Sequence, residues 1–92
     1  MLNYQYSYDK MDKVIQRVAA VLGIKPEQVF AAGKHPQTVK ARSLLCYWAV
    51  RKLGLTATEL SKRLGVSQPS VSISVKRGER VAKEGGLKLV VD

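Results

Sequence analysis

Apolar residues recur every three or four positions along the first quarter of the chain, which is the spacing of an amphipathic helix. The helix is predicted to begin near Asp9, a favourable N-cap residue, and to end at Gly23. Its predicted core-facing residues are Met11, Val14, Ile15, Val18, Ala19 and Leu22. Residues 1–8 carry tyrosines at alternate positions and are predicted to form an irregular lead-in, either a linker or a segment that packs an aromatic ring on the domain.

Two further helices are predicted from proline and glycine positions. Pro26 predicts the start of a short helix that ends by Gly33, and Pro36 suits the first turn of a longer helix that Gly54 closes. Residues 44–50 of the longer helix are apolar on nearly every face. We therefore expect that helix to be buried by neighbours on several sides.

The single cysteine, Cys46, lies in this apolar run beside Tyr47 and Trp48, and all three are predicted to pack in the core. A metal site would need further ligands, and the chain has one histidine, so no metal or other cofactor is predicted. A lone cysteine also excludes an internal disulfide. Without a signal-peptide pattern or a long apolar run, the default expectation is a cytoplasmic location, in association with the nucleoid.

The most specific pattern is a pair of short helices joined by three residues. Thr56, with Glu59 three residues later, forms a capping box, and Gly65 suits a turn with positive φ. Ser67 is a second N-cap, and Pro69 fits the first turn of the helix that follows. Small or apolar residues occupy the positions at which the two helices would cross, namely Leu60, Ser61, Leu64, Val66 and Val71. Together these features predict a helix-turn-helix.

A strand is the alternative for the second of these helices, because residues 71–75 alternate apolar and polar with period two. Pro69 fits such a strand poorly unless the strand lies at the edge of a sheet. In a helix, Val71 and Val75 lie one turn apart and both face the core. The predicted fold is therefore all-α, a small bundle of four to five helices that contains a helix-turn-helix.

The charge of the chain suggests the class of its partner. The 92 residues include 16 Lys and Arg against 7 Asp and Glu, which gives a formal net charge of +9, and the excess lies between residues 34 and 83. Such a balance favours a polyanion, with nucleic acid the first candidate and an acidic membrane surface the second. The length suits one domain, predicted at residues 9–83, followed by a tail at 84–92.

Residues 18–83 resemble the C-terminal DNA-binding domain of the bacterial chromosomal replication initiator, which has a Trp-repressor-like architecture. The resemblance rests on residues 21–29, on residues 39–42 and on the helix-turn-helix. The chain looks still more similar to the copy of this domain at the C-terminus of transposases that act on repetitive extragenic palindromes (REP-associated transposases). Residues 67–72 and 75–79 are typical of that copy.

The resemblance implies roles for several basic residues. Lys34 and His35 precede the long helix, where the family enters the minor groove, although His35 also suits a helix start. Arg42 matches a residue of the family that contacts phosphate, and Arg51 matches a later basic residue with a spacing that differs by one. The initiator reads bases with an Asp-His-Ser-Thr run that is absent here, so its target sequence is not carried over.

Several side chains of the second helix of this motif are chemically suited to contact DNA. The side-chain amide of Gln68 both donates and accepts, which suits adenine, and small serines allow a helix to lie close to base edges. Lysine and arginine side chains suit phosphates. The predicted DNA-contacting residues are Lys34, His35, Lys40, Arg42, Arg51, Ser67, Gln68, Ser70, Ser72, Lys76 and Arg77.

Three functions are compatible with these features. The first is sequence-specific binding of double-stranded DNA, at an origin-like sequence or at a transposon end or repeat. The second is a targeting domain of a transposase whose catalytic domain lies elsewhere, since catalysis in that family needs a histidine pair and this chain has only His35. The third is a module that binds protein or RNA. The chain itself is predicted to be a monomer, with no enzymatic activity, small-molecule substrate or membrane partner. The tail segment 87–91, apolar except for Lys88, is the one segment suited to pack against a partner chain.

Overall fold

The structure is a computed structural model that describes the backbone of residues 2–29 and 36–89 and the side chains of residues 11–29 and 36–89. Within those residues it contains helices and no strand, which confirms the all-α prediction. The helices are α1 (Leu2–Leu22), α2 (Pro26–Val29), α3 (Pro36–Arg51), α4 (Ala57–Leu64) and α5 (Gln68–Gly85).

The first helix is longer than predicted. It begins at Leu2, so the expectations of a helix start at Asp9 and of an irregular lead-in are wrong for residues 2–8. These residues contain neither glycine nor proline, so nothing in them interrupts a helix that continues into the apolar face of α1. The end of the helix is as predicted, with Gly23 at φ 68°. The proposed domain limits at residues 9 and 83 stay a prediction.

The third helix forms the centre of the core. Leu44, Leu45 and Ala49 are fully buried, and Trp48 is 1% exposed, which confirms that α3 is covered on several sides. Helix α5 packs along one side of α3, and α1 and α2 pack on others. Cys46 is buried as predicted, whereas the neighbouring Tyr47 is half-buried at the edge of the core.

The helix-turn-helix forms through the predicted local interactions. The Thr56 hydroxyl accepts a hydrogen bond from the Glu59 amide at 3.1 Å and donates one to Glu59 Oε1 at 3.3 Å, so Thr56 caps α4 as predicted. Gly65 adopts φ 69° and ends α4, and its amide donates to the carbonyl oxygen of Ser61. The Ser67 hydroxyl then accepts from the Ser70 amide at 3.3 Å and begins α5.

The period-two run lies within α5, as the helical interpretation predicted. Val71 and Val75 are buried, and they share one face of the helix with Gly78 and Ala82. At Gly78 helices α3 and α5 cross closely. A Cβ atom added there would overlap the backbone carbonyl oxygen of Ser43 and lie 2.7 Å from Tyr47 Cβ. Only a residue without a side chain fits this crossing.

The described part of the tail packs on the domain itself. Gly86 ends α5 in the left-handed conformation, and the Leu87 amide donates to the Ala82 carbonyl oxygen at 2.8 Å. Leu87 and Leu89 are partly buried against the core, and Arg17 Nε donates to the Lys88 carbonyl oxygen at 3.1 Å. The leucines of this segment are therefore used within the chain, while residues 90 and 91 lie outside the described residues.

Candidate nucleic-acid interface

Four successive residues at the start of α5 are exposed to solvent. Ser67, Gln68, Pro69 and Ser70 are all exposed, because the capped turn after Gly65 brings α5 out from the end of α4. The Ser67 and Ser70 hydroxyl oxygens lie 2.9 Å apart and are hydrogen-bonded to each other. A hydroxyl has one donor hydrogen, so the pair retains one for an external acceptor.

Gln68 is the best placed of these residues to read a base. Its side chain is exposed, and no group in the described part of the chain forms a hydrogen bond with its amide. Both the carbonyl oxygen and the amino group of that amide are therefore available at once. This is what bidentate recognition of adenine in the major groove requires.

The outward side of α5 carries cations. Lys76, Arg77 and Arg80 are exposed, and none of them is paired with a carboxylate within the described residues. The acidic residue nearest to them in sequence, Glu79, is engaged by Lys83 at 3.6 Å. Positive charge consequently dominates this side of the helix. Ser72 is also exposed on α5, as predicted.

Arg42 lies on the side of α3 that meets α5. Burial raises the pKa of the Cys46 thiol to about 11. A hydrogen bond with Ser74 of α5 and the nearby charge of Arg42 each lower that pKa, but by less than burial raises it. Arg42 and Ser74 thus approach the same thiol from the two helices. The structure therefore brings the half-buried Arg42 to the helix that holds Gln68.

The other predicted residues are more dispersed. Lys40 is exposed near the start of α3, and Arg51 is exposed as its last residue. Arg51 is about 14 Å along the helix axis from Arg42, at 1.5 Å per residue, so the two arginines are about two and a half turns apart. Lys34 and His35 lie outside the described residues, and their minor-groove role stays a prediction.

Two residues of the exposed side of α5 were not predicted as contacts. Ile73 is 58% exposed, and Arg80 lies seven positions further along the same face. The signal was available in the sequence as the spacing of positions 73, 76, 77 and 80, which is that of one helix face. It was obscured because residues 71–75 match period two equally well.

No family model matches the chain. The chromosomal replication initiator protein DnaA of Kosmotoga olearia is 30% identical over 74 residues, and that of Thermosipho africanus is 25% identical over 76 residues. The chain is similar in sequence to the replication initiator DnaA.

The similarity to DnaA covers most of this chain and a small part of each relative. It includes 80% and 83% of the chain, whereas the chain spans 17% of the length of either DnaA protein. The predicted resemblance to the replication initiator is thereby confirmed at the level of sequence similarity. No solved structure matches the chain. In the part of the chain that the structure describes, no helix has the length and apolar character needed to cross a membrane.

Proposed function

We propose that this chain is a domain that binds double-stranded DNA sequence-specifically through the α4–turn–α5 helix-turn-helix. The observation that carries this proposal is the exposed start of α5 at residues 67–70, on a helix whose outward side holds Lys76, Arg77 and Arg80. Within the described residues, the side-chain amide of Gln68 forms no hydrogen bond. The opposite side of the same helix is anchored in the core by Val71 and Val75. A rigid helix with polar and cationic groups on its free side suits the major groove of B-DNA.

The chemistry of the side chains indicates which of them would contact phosphates and which would contact bases. Phosphate contacts by the cations would supply most of the affinity and would fix the orientation of the helix. Base contacts by Gln68 and the neighbouring serines would supply the sequence preference. The net charge of +9 would also accelerate the encounter with a polyanion.

We further propose that the chain is the counterpart of the C-terminal DNA-binding domain of the replication initiator. The small share of the DnaA length that the chain covers and the helix-turn-helix support this assignment. Its target would then be an origin-like sequence. We propose a monomeric domain in the cytoplasm, without catalytic activity of its own.

A targeting domain of a REP-associated transposase is the second candidate. Residues 67–70 replace the base-reading run of the initiator, and all four are exposed where bases would be read. A different reading surface favours a different target, such as a transposon end or repeat. Selection of bound duplexes from a random pool decides between the two, because it returns either an initiator-type site or a palindromic repeat.

The salt dependence of binding tests the common part of both proposals. If about five to eight phosphates are neutralised, the affinity for duplex DNA should fall by about three to four orders of magnitude between 50 and 200 mM salt. A flat response would exclude the nucleic-acid function. A competition between duplex DNA and RNA tests the remaining possibility of an RNA-binding module.

The substitution Gln68→Ala tests the assignment of α5 as the reading helix. We expect a loss of about 1–3 kcal/mol on the selected sequence, together with a change in sequence preference, because the lost amide is a base contact. The matched control is Gln16→Ala, which removes an exposed glutamine from α1 and should leave binding unchanged. If Gln68→Ala binds with unaltered sequence preference, α5 is not the reader.

A further inference from the structure

Ile73 is a large apolar side chain that the fold leaves uncovered. It is 58% exposed, and among the residues whose side chains the structure describes it is the one large hydrophobic residue that is exposed. Isoleucine has a β-branched side chain with few rotamers, so it presents a fixed apolar shape at little entropic cost. A single exposed apolar residue is common on protein surfaces, and its meaning depends on what surrounds it.

The surroundings of Ile73 are set by the rotation of the helix. Val71 and Val75, two positions on either side, are buried, and each is about 200° around the axis from Ile73 at 100° per residue. Ile73 therefore points directly away from the core. Lys76 and Arg77 lie on the next turn of the same face.

The chemistry of this face decides what covers Ile73. The adjacent cations have no carboxylate partner in the described chain, which favours a polyanion. An anionic membrane would need an apolar stripe along the helix, but the positions one turn before and after Ile73 are Pro69, Ser70, Lys76 and Arg77. The major groove of an RNA duplex is too deep and narrow for a helix.

We propose that Ile73 contacts the C5-methyl group of a thymine in the major groove and thereby selects thymine at one position of the target. This inference rests on the proposed function. The methyl group of thymine is the apolar feature of the major-groove edge of the bases, and apolar side chains are its usual partners. An isoleucine flanked by phosphate-binding cations is suited to this contact.

Ile73 and Gln68 reach different parts of the groove. Ile73 is five residues from Gln68, which is about 7.5 Å along the helix axis and about 140° around it. The thymine is therefore a different base from the one that Gln68 reads, and replacement of each thymine in turn identifies it.

Single replacement of each thymine by deoxyuridine in the selected duplex tests the proposal, because it removes a methyl group and nothing else. We expect one replacement to weaken binding by about fourfold, the factor that burial of one methyl group supplies. In Ile73→Ala that difference between thymine and uracil should disappear. The matched control is Lys76→Ala, which should weaken binding to both duplexes and keep the ratio.

The outcomes separate the two proposals. If the chain binds its selected duplex but no deoxyuridine replacement changes the affinity, or if Ile73→Ala retains the discrimination, the role of Ile73 is refuted while the DNA-binding function stands. If no salt-sensitive duplex binding is found, the proposed function fails, and the inference fails with it. A thermal melt of Ile73→Ala should match the parent chain, because the side chain is exposed.

Discussion

Replacement of Gly78 by alanine should separate the two helices that form the core. The added Cβ would overlap the Ser43 carbonyl oxygen and lie 2.6 Å from the Ser43 carbonyl carbon. Both atoms belong to the backbone of α3, so no side-chain rotation relieves the overlap. Helices α3 and α5 must therefore move apart by about 1 Å or more, since non-bonded carbon atoms pack at about 3.5–4.0 Å.

The expected cost combines two opposing contributions. Overpacking of a core costs about 1–3 kcal/mol of stability. For Gly78→Ala we expect the upper end, about 3 kcal/mol or more, because the atoms in the way belong to the backbone and cannot rotate aside. Alanine in a helix interior recovers about 1 kcal/mol relative to glycine. We expect a net loss of about 2 kcal/mol in the free energy of unfolding. For a domain of this length that corresponds to a fall of about 8–16 °C in the melting temperature.

Urea denaturation followed by circular dichroism measures this loss directly. The matched control is Gly85→Ala, the same change in the same helix, where the nearest atom to the new Cβ is in the flexible Leu87 side chain at 3.2 Å. The control should remain within about 1 kcal/mol of the parent chain. A Gly78→Ala variant that is as stable as the parent, or more stable, would refute the close crossing of α3 and α5.

Two further predictions concern Arg42 and Cys46. Arg42→Ala should weaken binding to all duplexes alike and reduce the slope of log affinity against log salt by about one, whereas Lys25→Ala, which removes an exposed lysine before α2, should leave the slope unchanged. A sequence-dependent loss in Arg42→Ala would contradict a phosphate contact. The raised pKa of Cys46, about 11, favours the neutral thiol in the folded state, so this group stabilises the fold below about pH 9 and loses that contribution as the pH rises towards 11. Iodoacetamide should therefore modify the native chain at pH 8 far more slowly than the urea-unfolded chain, and equal rates would show that the thiol is accessible.

Much of the helix-turn-helix could be predicted because its determinants act over three or four residues. The bond from the Glu59 amide to Thr56, the left-handed Gly65 and the Ser67 cap each join residues that are neighbours in sequence. Such interactions form in the same way whatever the rest of the chain does. The prediction of Gln68 and Ser70 as exposed residues of the first turn of α5 followed from these caps.

The start of α1 was predicted incorrectly because a cap residue permits a helix start without requiring one. Asp9 has the side chain of an N-cap, but the preceding residues contain no helix breaker, and the helix passes through this position. A polar residue in the middle of a helix costs only a fraction of 1 kcal/mol, about 0.7 at most. A sequence signal of that strength is readily overridden.

The sequence by itself determined the helical class, the turn at Gly65 and the basic character of the chain, since these depend on local backbone chemistry and composition. Local signals also favoured a helix with Val71 and Val75 on its buried side, because Pro69 fits a strand poorly. Only the tertiary structure decided how closely α5 approaches α3. The backbone of Ser43 lies so near Gly78 that no Cβ atom fits between them. These two residues are 35 positions apart in the sequence, and no local pattern contains information about their contact.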